Sequence, residues 1–328
     1  MTHPGGAARG ANVVWDWSGA LLGAVYALPA AAVIGEDLGR GLALAVGVLP
    51  AAATGLAPTR RARRMTAVVG ALIGLSMFVG AVIGQVPLVA VGGIVALAVG
   101  AAWLAGRSRL GTVAVTLCVP LVGVGLSYHT DVGKAAGIAV LMAVGSIYGW
   151  LVSLLWPERP PQPPPGQPPV TLWYGLRLGL AGATAAAVGF ALDLGHVGWA
   201  TAAAMLVMRP SEDMQRLRSV GRVLSVTAGA LAGILVVRAE PPTAVYGLVV
   251  IADLAAAAAT HRSRWYVTSA FTTFLVFLLL LFGDPTQAQH RFNERIIETA
   301  LGVAVAYAFG LLIPTLWRRR RPTPAAAA

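Results

Sequence analysis

Long apolar runs broken by short polar stretches recur from residue 15 to residue 316. A hydrocarbon core about 30 Å thick takes roughly 20 residues of helix at 1.5 Å rise. The pattern predicts twelve membrane-spanning helices, over 15–34, 41–57, 66–84, 87–105, 110–127, 135–155, 173–192, 197–208, 223–237, 243–260, 266–282 and 296–316. The eighth and ninth runs are short, so their helices are expected to reach into the Arg-bearing connection between them. The runs are continuous and rich in Ala, Leu and Gly, without the alternation of an outer-membrane strand. The fold class is all-α, a polytopic membrane protein.

Composition agrees. Of 328 residues, 24 are basic and 13 acidic, so 11 % carry charge, and 57 % are apolar; a soluble domain carries about a quarter charged residues. A soluble enzyme, a secreted disulfide scaffold and a disordered chain are excluded. The net charge of +11 belongs to membrane-flanking loops, since no solvated basic domain is available to bind nucleic acid. Cys118 is the one cysteine, so no intramolecular disulfide forms. The segment Met1 to Val14 is polar and Gly-rich, and the first apolar run is expected to be a retained helix, not a signal peptide.

Charge also orients the chain. With a cytoplasmic N-terminus, the inside segments hold 19 of the 24 basic residues, including the cluster from Arg60 to Arg64 and Arg318 to Arg321. The outside keeps Arg40, Lys134, Arg238, Arg291 and Arg295. This is the positive-inside distribution, with both termini cytoplasmic.

The halves repeat one another. Asp37-Leu38-Gly39 returns as Asp193-Leu194-Gly195, and Arg107-Ser108-Arg109 as Arg262-Ser263-Arg264. Arg63 before Gly70 and Gly74 returns as Arg222 before Gly229 and Gly233, and Trp156 as Trp317, at offsets of 155 to 161 residues. An even number of spans per half keeps the orientation, which predicts two parallel six-helix repeats. The expected divisions are a tail over 1–14, the first repeat over 15–156, a linker over 157–172, the second repeat over 173–317 and a basic tail over 318–328. Eight prolines in thirteen residues from Pro157 to Pro169 favour a stiff polyproline II spacer.

In the second half, His196-Val-Gly-Trp199-Ala-Thr201 runs to Arg209-Pro210-Ser211 and is followed by Arg216, Arg218, Arg222 and Gly229. This segment resembles the fusaric-acid-resistance-like family, the aromatic acid exporters. Ser225 and Val226 stand where that family's Arg-x-x-Gly-Thr-x-x-Gly pattern has Gly-Thr. A second copy, Arg295-Ile-Ile-Glu-Thr299-Ala-Leu-Gly302, keeps the Thr. The resemblance implies a bacterial inner-membrane exporter of aromatic or other organic carboxylates, with plant malate channels as distant relatives. It marks Arg222, Gly229, Thr299 and Gly302 as motif positions.

No phosphate-binding loop, His-Glu-x-x-His or Asp-rich diphosphate motif occurs, so neither an enzyme nor a cofactor is expected. The histidines have no ligand spacing, so no metal site is expected. The informative residues are charges inside spans. Asp253 in the tenth run carries a carboxylate whose burial costs roughly 2.5–3.5 kcal/mol, and Arg177 enters the seventh from the same side. They are expected to pair, either as a substrate-binding guanidinium beside a proton-coupling carboxylate or as an ion pair locking two helices. Lys134 and Arg295 occupy corresponding outer positions, as a positive exit or as interfacial cations that snorkel. His196 and Trp199 open the eighth helix, where they contact an aromatic anion or anchor the interface.

The sequence thus predicts a proton-coupled exporter of small organic anions, with the bilayer and the anion as partners and a homodimer left open. A passive anion channel and a non-transporting scaffold are the alternatives. With Cys118 changed to Ser, a cysteine at Gly166 is expected to react with a membrane-impermeant maleimide only in inverted vesicles, and one at Gly133 only in right-side-out vesicles. The opposite pattern at either position contradicts the orientation.

Overall fold

The computed structural model describes residues 13–160, 169–263, 265–282 and 285–315. Most of the N-terminal tail, the middle of the Pro-rich linker, Arg264, Trp317 and the Arg318 to Arg321 cluster lie outside these residues. The described chain is all-helical. In order the helices are α1 (Trp17–Ile34), α2 (Leu38–Thr54), α3 (Arg60–Gly84), α4 (Pro87–Ala105), α5 (Leu110–Tyr128) and α6 (Val132–Ser153). After the linker follow α7 (Leu172–Ala191), α8 (Val197–Val207), α9 (Glu212–Arg238), α10 (Thr243–Ala259), α11 (Trp265–Leu281) and α12 (Ala288–Thr315). Seven of them (α1, α3, α4, α5, α6, α9 and α12) are long and apolar enough to cross a bilayer, and their outward faces carry Leu88, Leu235 and other bare apolar side chains. The chain is a multi-pass membrane protein.

Local chemistry sets the boundaries. Asp16, Asp37, Thr59, Asp131 and Thr171 accept backbone N–H groups at the starts of α1, α2, α3, α6 and α7, which satisfies donors that have no partner within the helix. Pro87 opens α4, where its missing N–H costs nothing. The helices α3, α9 and α12 begin well before their apolar runs, because Arg, Glu and Gln are good helix formers and carry the first turns out of the apolar layer. α8 ends at Val207, ahead of Pro210, whose ring disfavours helix before it. Its 11 residues reach only about 16 Å at 1.5 Å each. Nearly every side of α8 is buried, as an apolar helix without a polar face requires.

Two ends of the bundle are defined by bonds. At one, Asp16 N–H reaches Ala259 O at 3.0 Å, Arg159 N–H reaches Pro58 O at 2.9 Å, and the Arg159 guanidinium meets Asp16 at 3.2 Å. The opposite end brings His129 against Phe190 and His196 against Glu294.

Helix pairing recurs at a shift of six elements. α1 runs along α10 and α4 along α7; α2 packs on α6 and α8 on α12; α3 packs on α5 and α9 on α11; α1 meets α2 and α7 meets α8. Close approach depends on glycine. A Cβ on Gly19 would lie 2.7 Å from Ala258 O on α10, and one on Gly23 would overlap Leu254 O. Gly175 and Gly179 admit α4 to α7 in the same way, facing Ala98 and Val95. Such small-residue contacts replace the hydrophobic driving force that lipid removes.

Gly23→Val is expected to destabilise the bundle by about 1–3 kcal/mol through overpacking, read as a lower melting temperature in detergent. Gly92→Ala, with open space at its Cβ, is expected to leave that temperature unchanged or raise it. Equal melting of Gly23→Val and wild type contradicts the close α1–α10 contact.

Candidate functional site

The site is built where the start of α8 meets the first turns of α12. α8 is fixed in the interior by α5, α7 and α12, and Gly302 lets α12 come against it: a Cβ there would overlap Ala200 O and lie 2.7 Å from Ala203 Cβ. This contact sets the depth at which Arg295, two turns earlier on α12, meets α8. Its Cζ lies 4.4 Å from the centroid of the Trp199 indole. The His196 ring stacks on the same indole at 4.1 Å and 15°, and Phe277 of α11 lies 6.2 Å from it. A desolvated guanidinium over an indole is worth about 2 kcal/mol, less than the cost of burying its charge.

Arg295 is 8 % exposed, and its Nε has no hydrogen-bond partner. A second buried guanidinium stands within electrostatic range: Arg222 of α9 repels Arg295, while Glu298 offsets that charge. Arg222 Nη1 donates to Ser269 Oγ of α11 at 2.7 Å, and its Nε has no partner either. Glu294 is held by His196 at 3.1 Å and by Arg291 at 3.2 Å. A cleft of about 390 Å³ opens beside these groups, lined by Asp193, Gly195, Arg291, Glu294 and Glu298 among others. Arg222 and Arg295 are thus two interior cations without a bonded carboxylate among the described residues.

His196, Trp199 and Arg295 thus come together. Lys134 does not join them: it is exposed near the start of α6. The two cations correspond in sequence but differ in burial, because α12 begins further from its apolar run and packs on α8, whereas the first turn of α6 stays open.

The expected Arg177–Asp253 pair does not form. Arg177 on α7 donates from Nε to Phe309 O at 2.9 Å and from Nη2 to Gly310 O at 2.6 Å. These carbonyls lie in a π-turn of α12, Ala308–Leu312, just ahead of Pro314. Proline has no N–H to close the helical bond, so the guanidinium supplies the donors. Gln215 assists, giving Nε2 to Ala306 O at 2.7 Å. Arg63 does equivalent work in the first half, where it is 1 % exposed and donates to the carbonyls of Ser153, Trp156 and Pro157 at the end of α6. Asp253 belongs to another neighbourhood, on α10 against α1, α2 and α11. It is 6 % exposed, and its Oδ2 has no partner.

The motif positions divide by role. Gly229 and Gly302 admit neighbouring backbones, at Ala270 O and Ala200 O respectively. Thr299 is buried with its hydroxyl unpartnered, and Arg222 faces the interior. The part of Glu294 was not read from the sequence, because it precedes the apolar run. The spacing Arg291, Glu294, Arg295, Glu298 is a helical charge pattern that places these residues on α12.

Among the described residues no group of His, Cys, Asp and Glu is arranged to hold a metal ion. Neither a curated protein nor a solved structure matches the chain. Residues 184–316, which contain the whole of α8 to α12, match the family model described as fusaric acid resistance protein-like, and this bears out the resemblance carried by the motifs of the second half.

Proposed function

We propose that the chain is an inner-membrane transporter that exports small organic anions, with aromatic carboxylates as the best-fitting class. The observation that carries this is the buried Arg295 guanidinium, short of a hydrogen-bond partner and lying over the Trp199 indole. A carboxylate supplies the missing acceptor, and the aromatic cluster of His196, Trp199 and Phe277 beside it suits a ring at its edge. Arg222 adds a second positive charge from α9, and His196 closes the far face of the platform.

The architecture in this reading is twelve spans in two parallel six-helix repeats, divided at 15–156 and 173–317, with both termini cytoplasmic. Helix pairings that recur at a shift of six elements support it. So does the placement of residues 57–64, 153–159 and 259–263, which hold many of the arginines, at one end of the bundle. Asp253, buried and unpartnered on α10, is the group for proton exchange; Arg177 holds the end of α12 and does not touch the anion. The relationship to the fusaric acid resistance protein-like family over residues 184–316 favours transport over catalysis.

Inverted vesicles containing the chain are expected to accumulate benzoate when an outward-directed process is energised by a proton gradient. Arg295→Ala is expected to lower that rate about 10- to 100-fold, the loss of one charge-assisted contact of about 1.5–3 kcal/mol, with expression and melting temperature retained; Trp199→Ala is expected to lower both the rate and the melting temperature, since it opens a cavity in the core. Asp253→Asn is expected to abolish the dependence on the gradient. Wild-type rates in Arg295→Ala sink the site assignment, and a flux indifferent to the gradient in wild type identifies a passive channel.

A further inference from the structure

Glu298 stands one turn beyond Arg295 on α12 and is 1 % exposed, yet no side chain donates to either of its carboxylate oxygens, and the donor nearest to it is the His196 backbone N–H. It also lines the cleft of about 390 Å³ whose mouth carries Asp193, His290 and Arg291. A buried carboxylate that no side chain donates to, bordering a cleft that also holds Asp193, His290 and Arg291, is a group with access to protons from solution.

The charges that face it come from every neighbouring element. On α12 they are His290, Arg291, Glu294 and Arg295; the α7–α8 connection gives Asp193, and the start of α8 gives the His196 backbone N–H, while the His196 imidazole is turned to Glu294. Tyr128 of α5 and Arg222 of α9 act through Arg295. Glu294 is already occupied by His196 and Arg291. What remains is one carboxylate, Glu298, beside one guanidinium, Arg295.

A carboxylate ligand arriving at Arg295 sets two anions against that guanidinium in a medium of low polarity, where like charges at such spacing cannot both persist. We propose that Glu298 takes up a proton through the cleft whenever an organic carboxylate binds at Arg295, so that anion and proton enter the site together. The balance is simple. One proton from water adds to a Glu298 carboxylate oxygen, one ligand carboxylate takes over the guanidinium, and the net charge of the site is unchanged. This rests on the reading of Arg295 as the anion site. It also divides labour within the chain: co-binding at Glu298 carries proton and anion in the same direction, so exchange of an outgoing anion for an incoming proton falls to Asp253 on α10.

Calorimetric titration of the full chain in nanodiscs with benzoate, in two buffers of different ionisation enthalpy, counts the protons taken up. Over about pH 5 to 9 wild type is expected to take up as much as one proton per benzoate, its affinity falling up to about tenfold per pH unit above the titration. Glu298→Gln is expected to bind benzoate with no proton uptake and no such slope, and Glu298→Asp to restore both. Benzoate binding by wild type without proton uptake, or unchanged uptake in Glu298→Gln, overturns the role of Glu298 while leaving the anion site standing. Absence of benzoate binding to wild type overturns both.

Discussion

A guanidinium buried away from water must be met by acceptors, by a π face or by an anion, and this requirement organises the interior of the bundle. Arg63 and Arg177 meet it with backbone carbonyls that helix ends and Pro314 leave free. They are fasteners, tying the ends of α6 and α12 to neighbouring helices. Arg222 meets it in part through Ser269, and Arg295 through the Trp199 indole. The two pairs differ in how far this is met: backbone carbonyls take up the first, whereas each member of the second keeps an unpartnered Nε in the interior.

The position of α8 makes the second pair usable. Its 11 residues are buried on nearly every side, so the Trp199 ring near its start is covered by protein instead of lipid. Glycine sets the spacing. Gly302 draws α12 onto α8 until the Arg295 guanidinium covers the indole, and Gly229 admits α11 to α9, the helices whose Ser269 and Arg222 bond. Side chains at these glycines would separate the groups by more than a guanidinium–indole contact tolerates.

Much of this was legible in the sequence. Apolar runs gave the helices nearly to the residue at Pro87 and Thr171, missed both ends of α2 by three residues, and erred further where charged residues extend a helix beyond its apolar stretch, as in α9 and α12. His196, Trp199 and Arg295 stood out individually because polar and aromatic groups are conspicuous in apolar surroundings. Their convergence was not legible, since it depends on how deeply α12 packs on α8. The partner of Arg177 was hidden for the same reason: Pro314 announces a free carbonyl, but nothing local tells which arginine, 137 residues away, will reach it. Depth in a span suggested Asp253 as its partner, and the packing of α10 against α1 overrules that inference.

The account stands or falls on whether an anion occupies the space beside Arg295. A cryo-electron-microscopy map of the chain in nanodiscs with saturating benzoate tests this directly. The account requires density for the carboxylate at the Arg295 guanidinium with the ring against the Trp199 side of the site. Benzoate bound elsewhere in the bundle, with Arg295 and Trp199 in contact as before and no added density beside them, contradicts it.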